Sequence, residues 1–267
     1  MSILEYSFFQ NALIGSLLAS IVCGIIGTYI VSRRLVFISG GITHASFGGI
    51  GLGVFFGINP ILSAMVYAVL SAFGVQWMSH HVKVREDSAI ALFWTFGMSI
   101  LCSFLTPGFM PDLPSFLFGS ILTVGTPDLV LLTVVTTVVA AVFTLLYSTI
   151  VSIAFDPTFA RSQRLPVDTV EYVMMGLIAV TIVSTLRLVG IVLAISLLTV
   201  PQMTANLFTY SFRRIICLSI AIGWVDCLAG LFISYWFNVP SGASIIFASI
   251  IIYALLRTIK AVVFKFK

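Results

Sequence analysis

The chain has 267 residues, 60% of them hydrophobic and only 8% charged, with a mean hydropathy of +1.18. A soluble domain carries roughly 25% charged residues, so this composition excludes a soluble protein and describes a polytopic integral membrane protein. The net charge of +4 does not point to nucleic acid, because almost every basic residue falls in a short stretch between apolar runs, where it acts as an orientation signal.

From the N-terminus, runs of roughly 20 apolar residues, each able to cross about 30 Å of hydrocarbon, lie at 8–31, 35–57, 60–80, 88–106, 127–151, 170–186, 188–208, 213–236 and 240–259. They define an all-α transmembrane bundle of about nine spans, or eight if 170–208 is one long broken helix. With the N-terminus outside, the inner loops hold Arg33 and Arg34, Lys83 and Arg85, Arg161 and Arg164, and Arg213 and Arg214. The C-terminus is then inside and adds Arg257, Lys260, Lys265 and Lys267, leaving only Arg187 outside, as the positive-inside rule requires. The start, MSILEYSFF, has no basic region and no small-residue cleavage site, so the first helix is expected to be retained.

Helix-start chemistry agrees with these boundaries. Asn59-Pro60, Thr126-Pro127 and Asp156-Pro157 each place a capping side chain before a proline at the first helical position, where the missing N–H costs nothing. Asp168 and Glu171 have capping-box spacing, and Glu86 and Asp87 sit at the positive dipole end of the fourth span. Cys23, Cys102, Cys217 and Cys227 lie in apolar runs without CxxC spacing and are expected to be small buried hydrophobes.

Two loops stand out. The outer one, 107–127, contains an apolar piece at 115–124, too short to span and expected to be re-entrant or interfacial. The inner one, 155–172, is the longest polar stretch, and Asp156, Pro157 and the terminating Leu165-Pro166 define a helix of about two turns. Phe159 and Ala160 among Arg161, Gln163 and Arg164 could present an apolar knob and a basic rim to a soluble partner; a plain amphipathic connector is the alternative.

The segment 33–57, RRLVFISGGITHASFGGIGLGVFFG, carries His44 inside an apolar run that also holds Gly40, Gly41, Gly48, Gly49, Gly51 and Gly53. An ionisable group inside a spanning helix points to a substrate or ion path. The glycines allow close helix approach, or a broken helix that exposes carbonyls beside a cavity. A structural alternative has His44 hydrogen-bonded to Thr43 or Ser46. Asp226, in AIGWVDCLAG, is the other ionisable residue well inside a span, and a second metal-contact candidate. Its alternative is a carboxyl satisfied by serines, backbone or Trp224. Gln202 follows Pro201, which frees a carbonyl that must find a partner, and is a candidate polar liner of the path together with Gly40 and Gly41. His80 and His81, at the inner end of the third span, are expected to be solvated.

Six blocks, RRLVFISGGITHASFGGIGLG at 33–53, EDSAIALFWTFGMSI at 86–100, LFGSIL at 117–122, FDPTFARSQRLPV at 155–167, LRLVGIVLAISLLTVPQMTANLF at 186–208 and VPSGASIIFASIIIYALL at 239–256, together resemble the membrane subunits of the zinc/manganese ATP-binding-cassette importers. The resemblance covers nearly the whole chain, 1–267, as one permease domain of the cobalamin-importer (type II) arrangement. It implies a homodimer in a prokaryotic inner membrane, surrounded by lipid, with two copies of a cytosolic ATPase and an extracytoplasmic metal-binding protein. It also implies that residues about 156–166, with Asp156, Pro157, Phe159, Ala160, Arg161 and Arg164, form the helix that couples to the ATPase. No permanent cofactor is implied; a divalent zinc, manganese or iron ion is the substrate. Many members carry an aspartate four residues before the histidine of the second span, where this chain has Gly40. A lone imidazole holds a divalent ion poorly, so further ligands must come from elsewhere.

The chain has no Gly-rich P-loop ending in GK[ST], so ATP hydrolysis is expected in another polypeptide. It also lacks the HExxH of an intramembrane metalloprotease. A proton-coupled secondary transporter would need a chain of intramembrane carboxylates. A permease for a siderophore or cobalamin is the nearer alternative.

Overall fold

Hydrocarbon offers no water to a spanning segment, so its backbone N–H and C=O groups must pair within the chain, which helices achieve. The computed structural model describes residues 7–104, 124–237 and 239–265, and among these it shows helices and no strand. In chain order they are α1 (Ser7–Ser32), α2 (Val36–Phe56), α3 (Pro60–Trp77), α4 (Glu86–Phe104), α5 (Thr126–Leu145), α6 (Tyr147–Phe155), α7 (Pro157–Ser162), α8 (Val167–Leu197), α9 (Val200–Ala205), α10 (Phe212–Phe237) and α11 (Ser241–Lys265). α3 runs on through a π-helical turn, Met78–Val82. The expected short piece at 115–124 falls almost wholly outside the described residues.

Six segments, Ser7–Ser32, Pro60–Val82, Thr126–Leu145, Val167–Leu186, Phe212–Phe237 and Ser241–Val262, are long and apolar enough to cross a membrane by length and composition. α2 and α4 have the length, 21 and 19 residues. Their hydropathy is diluted by the glycines and His44 of α2 and by Glu86 and Asp87 of α4. The chain is a multi-pass membrane protein.

Several boundaries follow the local chemistry. Asn59 Oδ1 accepts from Ile61 N at 3.0 Å ahead of Pro60, and Asp156 caps α7 ahead of Pro157. At α5 the cap expected of Thr126 is replaced: Thr126 is already helical, Gly125 O accepts the first turn's N–H bonds, and Asp128 Oδ2 accepts from Gly125 N at 3.2 Å. Arg34, Lys83 and Arg164 each adopt positive φ (60°, 55° and 59°), the left-handed conformation that closes helix C-termini, where a cation also suits the dipole.

Two expected boundaries shift. The run 127–151 is two helices, because the backbone turns at Leu146 (φ −106°, ψ 17°); no glycine or proline there marks the break. Between the expected sixth and seventh spans the backbone stays helical, and the break comes at Gly190 (φ 75°, ψ 172°), a conformation open essentially to glycine. Cys102 and Cys217 are exposed, correcting their expected burial, whereas Cys23 and Cys227 are buried; all four are free thiols.

The chain forms two compact units, each assembled from separate stretches. The first holds α1, α5, the part of α8 from Thr185, and α9, α10 and α11. In it α10 packs on α1, α9 and α11. The second holds α2, α3, α4, α6, α7 and α8 up to Ser184, and its centre is α2 packed against α3 and α4.

Glycine decides that packing. A Cβ at Gly48 would lie 2.8 Å from Gly97 Cα of α4, and one at Gly97 would lie 2.5 Å from Ala45 O. On the adjoining face, a Cβ at Gly49 would meet Ala64 Cα of α3 at 2.6 Å. Lipid chains are as apolar as leucine, so close van der Waals contact between backbones supplies the attraction. α2 stays helical throughout, so the glycines act by close approach and not by breaking the helix. Replacing Gly97 by leucine is expected to destabilise the protein by about 1–3 kcal/mol through overpacking, read as a lower melting temperature in detergent. Gly15→Ala, whose Cβ would find ordinary contact at 3.5 Å from Leu129, should change it little.

Candidate functional site

His44 projects from α2 and is partly exposed. Its imidazole lies flat on the indole of Trp94 from α4, with centroids 4.3 Å apart and planes 1° apart. Phe47 is the other ring beside it, at 6.3 Å. Stacking orients the ring through its faces and leaves the in-plane lone pairs free to meet a ligand. The hydroxyls expected to satisfy it are engaged elsewhere: Thr43 Oγ1 donates to Ser39 O at 2.5 Å and Ser46 Oγ to Thr43 O at 2.6 Å. Gly40 is partly exposed one turn before His44, on the same helical face. Gly41 is buried against Ile90 of α4. Trp94 was not singled out in the sequence; its only signal was its place in the block 86–100.

In the other unit, Asp226 of α10 is 1% exposed and neither carboxyl oxygen has a hydrogen-bond partner. The neighbouring Ser249 hydroxyl of α11 donates instead to Ile245 O at 2.9 Å. Trp224 is 39% exposed. The Ser249 hydroxyl is an expected partner within reach of this carboxyl, and a buried acid so sparsely paired is a candidate site for a bound ion or a held proton.

Gln202, the third residue after the helix break at Thr199, is fully buried. Pro201 cannot donate to the carbonyl four residues back, Leu197 O, and that carbonyl accepts from Gln202 Nε2 at 3.1 Å. The same nitrogen donates to Cys23 O of α1 at 2.8 Å, across the gap left by Gly27. The freed carbonyl thus has its partner, and Gln202 is a buried clasp between α9 and α1.

The inner helix α7 is built as its sequence implies. Asp156 Oδ1 accepts from Thr158 N and Phe159 N, both at 2.9 Å, and these bonds, that from Phe159 first, hold its carboxyl below the usual carboxylate range. Phe159 is 56% exposed, but Ala160 is fully buried, so the expected apolar knob reduces to Phe159. Arg161 Nη2 donates to Asp168 Oδ1 at 2.8 Å, and Arg164 closes the turn in the left-handed conformation.

A polar cluster at the ends of α3 and α8 was not anticipated. Glu171 does not cap α8; it is buried and paired with Arg33 at 2.6 Å, with Gln76 Nε2 donating to it at 3.0 Å. His80 turns toward it and is not a freely solvated residue, whereas His81 is exposed beside Trp77. Gln76 and His80 are four residues apart and Asp168 and Glu171 three, spacings that put each pair on one helical face, and this was the available signal.

These features describe a helical membrane protein with an oriented, uncapped imidazole in one unit, a buried unpaired carboxyl in the other, and a short capped helix with an exposed aromatic. The chain belongs to the ABC 3 transport family, whose match spans residues 5–260. It is similar to a membrane protein of Synechocystis sp., 40% identical over 94% of this chain and 90% of that protein. It is also similar to the manganese transport system membrane protein MntC of Halalkalibacterium halodurans, 32% identical over 95% of this chain and 87% of that protein. Among solved structures, PsaBC from Streptococcus pneumoniae in complex with Fab matches with a TM-score of 0.84 and 27% identity, covering 94% of this chain and 91% of that one.

Gln202→Leu leaves the Leu197 carbonyl, which Pro201 cannot pair, without its donor and should cost about 1–3 kcal/mol for that buried group, measured as a fall in melting temperature. Asp156 has a depressed pKa, so its carboxylate stabilises α7 fully above the ordinary carboxylate pKa and loses that effect as pH falls through the folded value. The protection factors of the Thr158 and Phe159 amides, corrected for the intrinsic slowing of exchange in acid, should therefore fall at low pH, and Asp156→Ala should show the low protection already at neutral pH.

Proposed function

We propose that this chain is the membrane-spanning permease subunit of an ATP-binding-cassette importer that moves a divalent transition-metal ion into the cytoplasm. The observation that carries the proposal is His44, held by its stack on Trp94 with free ring nitrogens in the glycine-packed helix α2. Imidazole suits manganese, zinc and iron; similarity to manganese transport system membrane proteins such as MntC favours manganese. His44, with Gly40 beside the path on the same face of α2, is the proposed point of contact with the ion in one unit, and Asp226 is a separate candidate contact in the other.

In this reading two copies of the chain pair in a prokaryotic plasma membrane, each with its ATPase, and an external binding protein delivers the metal. The chain crosses the membrane eight or nine times, with the N-terminus outside and the C-terminus inside. The placement of Arg34, Lys83 and Arg164 at the left-handed ends of α1, α3 and α7 supports this orientation, since all three fall in loops assigned to the inside. Phe159 on α7 is the contact offered to the ATPase. Closure of the ATPases moves α7, and the permease alternates between outward-open and inward-open packing. A weak membrane site serves this cycle, because an ion bound too tightly would not leave.

Metal uptake by the chain reconstituted with its ATPase and binding protein tests the proposal. Wild type should import manganese or zinc, and His44→Ala should reduce uptake by roughly 10- to 100-fold, the usual cost of disturbing a metal site, with the complex still assembled. Unchanged uptake in His44→Ala would remove His44 from the path. Transport of a chelate without any free metal by the wild type would replace the cargo.

A further inference from the structure

The cluster at the ends of α3 and α8 plays no part in holding the ion, yet it contains the most heavily paired buried charge among the described residues. Glu171 is 5% exposed. Its Oε1 accepts from Arg33 Nη2 at 2.6 Å, and its Oε2 accepts from Gln76 Nε2 at 3.0 Å and lies 3.1 Å from His80 Nε2. The other ring nitrogen of His80, Nδ1, lies 3.7 Å from Asp168 Oδ1. That same oxygen accepts from Arg161 Nη2 at 2.8 Å. Arg33 Nη1 also donates to Ile153 O at 3.3 Å, one of the last carbonyls of α6, where a cation meets the helix dipole favourably.

His80, Asp168 and Glu171 bring ligand atoms within 4.8 Å of one another, so a metal site is the first chemistry to weigh. Charge and orientation argue against it. Each carboxylate already has an arginine, which leaves the set without the excess negative charge that holds a dication. His80 Nε2 is also hydrogen-bonded to Gln76 Nε2 at 2.8 Å and its Nδ1 faces the other carboxylate, whereas a metal ion would gather both carboxylates around one lone pair.

The contacts instead run in a line. They start on α7, pass through the first turns of α8 and the π-helical end of α3, and finish at Arg33, next to the turn that opens α2. We propose that Arg161, Asp168, His80, Glu171 and Arg33 form a relay, two arginine–carboxylate ion pairs bridged by polar contacts of His80, that transmits displacement of α7 to the inner ends of α3 and α2, and through α2 to His44. The relay rests on the reading of α7 as the helix that meets the ATPase. Its two ends differ in strength. Arg33 and Glu171 are 18% and 6% exposed in their side chains, and breaking a buried pair leaves an uncompensated charge. Arg161 and Asp168 are 55% and 67% exposed, so water competes for that link and it can open and re-form cheaply. The relay is thus anchored at α2 and labile at α7, where the motion enters. Arg33, His80 and Glu171 are positioning residues, acting through α2 and α3 and not on the ion.

The test uses the full complex of permease, ATPase and binding protein in liposomes, measuring assembly, ATP hydrolysis and manganese uptake together. In Glu171→Gln and Arg33→Gln, uptake per ATP hydrolysed should fall by about tenfold, within the usual range of coupling between sites, while assembly and hydrolysis persist. The charge-swapped pair Arg33→Glu with Glu171→Arg should recover part of the loss. Asp168→Asn, at the solvated end, tests the same relay without disturbing a buried charge and should lower the ratio in the same direction. An unchanged ratio in Asp168→Asn and in the Glu171 variant would overturn the relay, as would uptake and hydrolysis falling in proportion. Loss of one bound manganese per permease in His80→Gln would replace the relay by a metal site. The underlying docking contact fails separately: it fails if Phe159→Ala, which leaves every relay contact in place, does not weaken ATPase assembly.

Discussion

Everything in this protein is arranged around the absence of competing water. In hydrocarbon a backbone carbonyl or a hydroxyl that loses its partner has none to fall back on. Serine and threonine side chains accordingly turn back onto their own helices: Ser20 to Ser16 O, Thr28 to Gly24 O, Thr43 to Ser39 O and Ser219 to Ile215 O. Where Pro201 removes a donor, Gln202 supplies one. A few buried hydroxyls, such as those of Thr136 and Ser241, also go without a partner; Asp226 and His44 differ from them in being ionisable groups inside spanning helices.

The same constraint shapes how helices associate. Burying apolar side chains against one another gains little over burying them in lipid, so the helices need backbones that touch. α2 answers with one glycine face turned to α4 and another to α3. A helix so tightly clasped holds its remaining side chains in fixed directions, and Trp94, projecting from the clasping helix α4, sets the plane of His44. Packing and site geometry are one feature here, because the glycines that bring α4 close also bring the indole into stacking range.

At the inner end the solvent returns and charge takes over as the organising force. Asp156 caps α7 with backbone bonds that need only local sequence. The pairing of Arg33 with Glu171 needs residues 138 positions apart. The first was legible because a cap is a matter of a few neighbouring residues. The second was not: Arg33 was read as a topology signal and Glu171 as half of a capping box, and each reading was locally sufficient.

From sequence alone came the all-helical membrane class, most helix starts, the position of α7 and the nomination of His44 and Asp226. These follow from composition, from the length of hydrocarbon to be crossed and from capping rules, all of which act over a few residues. Tertiary structure decided the rest. It buried Gln202, Gly41 and Ala160, since exposure depends on which neighbour covers a face. It placed the breaks at Leu146 and Gly190, where the one carries no local signal and the other depends on a backbone angle that glycine permits but does not require. It also assembled Trp94 with His44, and Glu171 with Arg33 and His80, because such pairs arise from contacts between distant segments that no local pattern specifies.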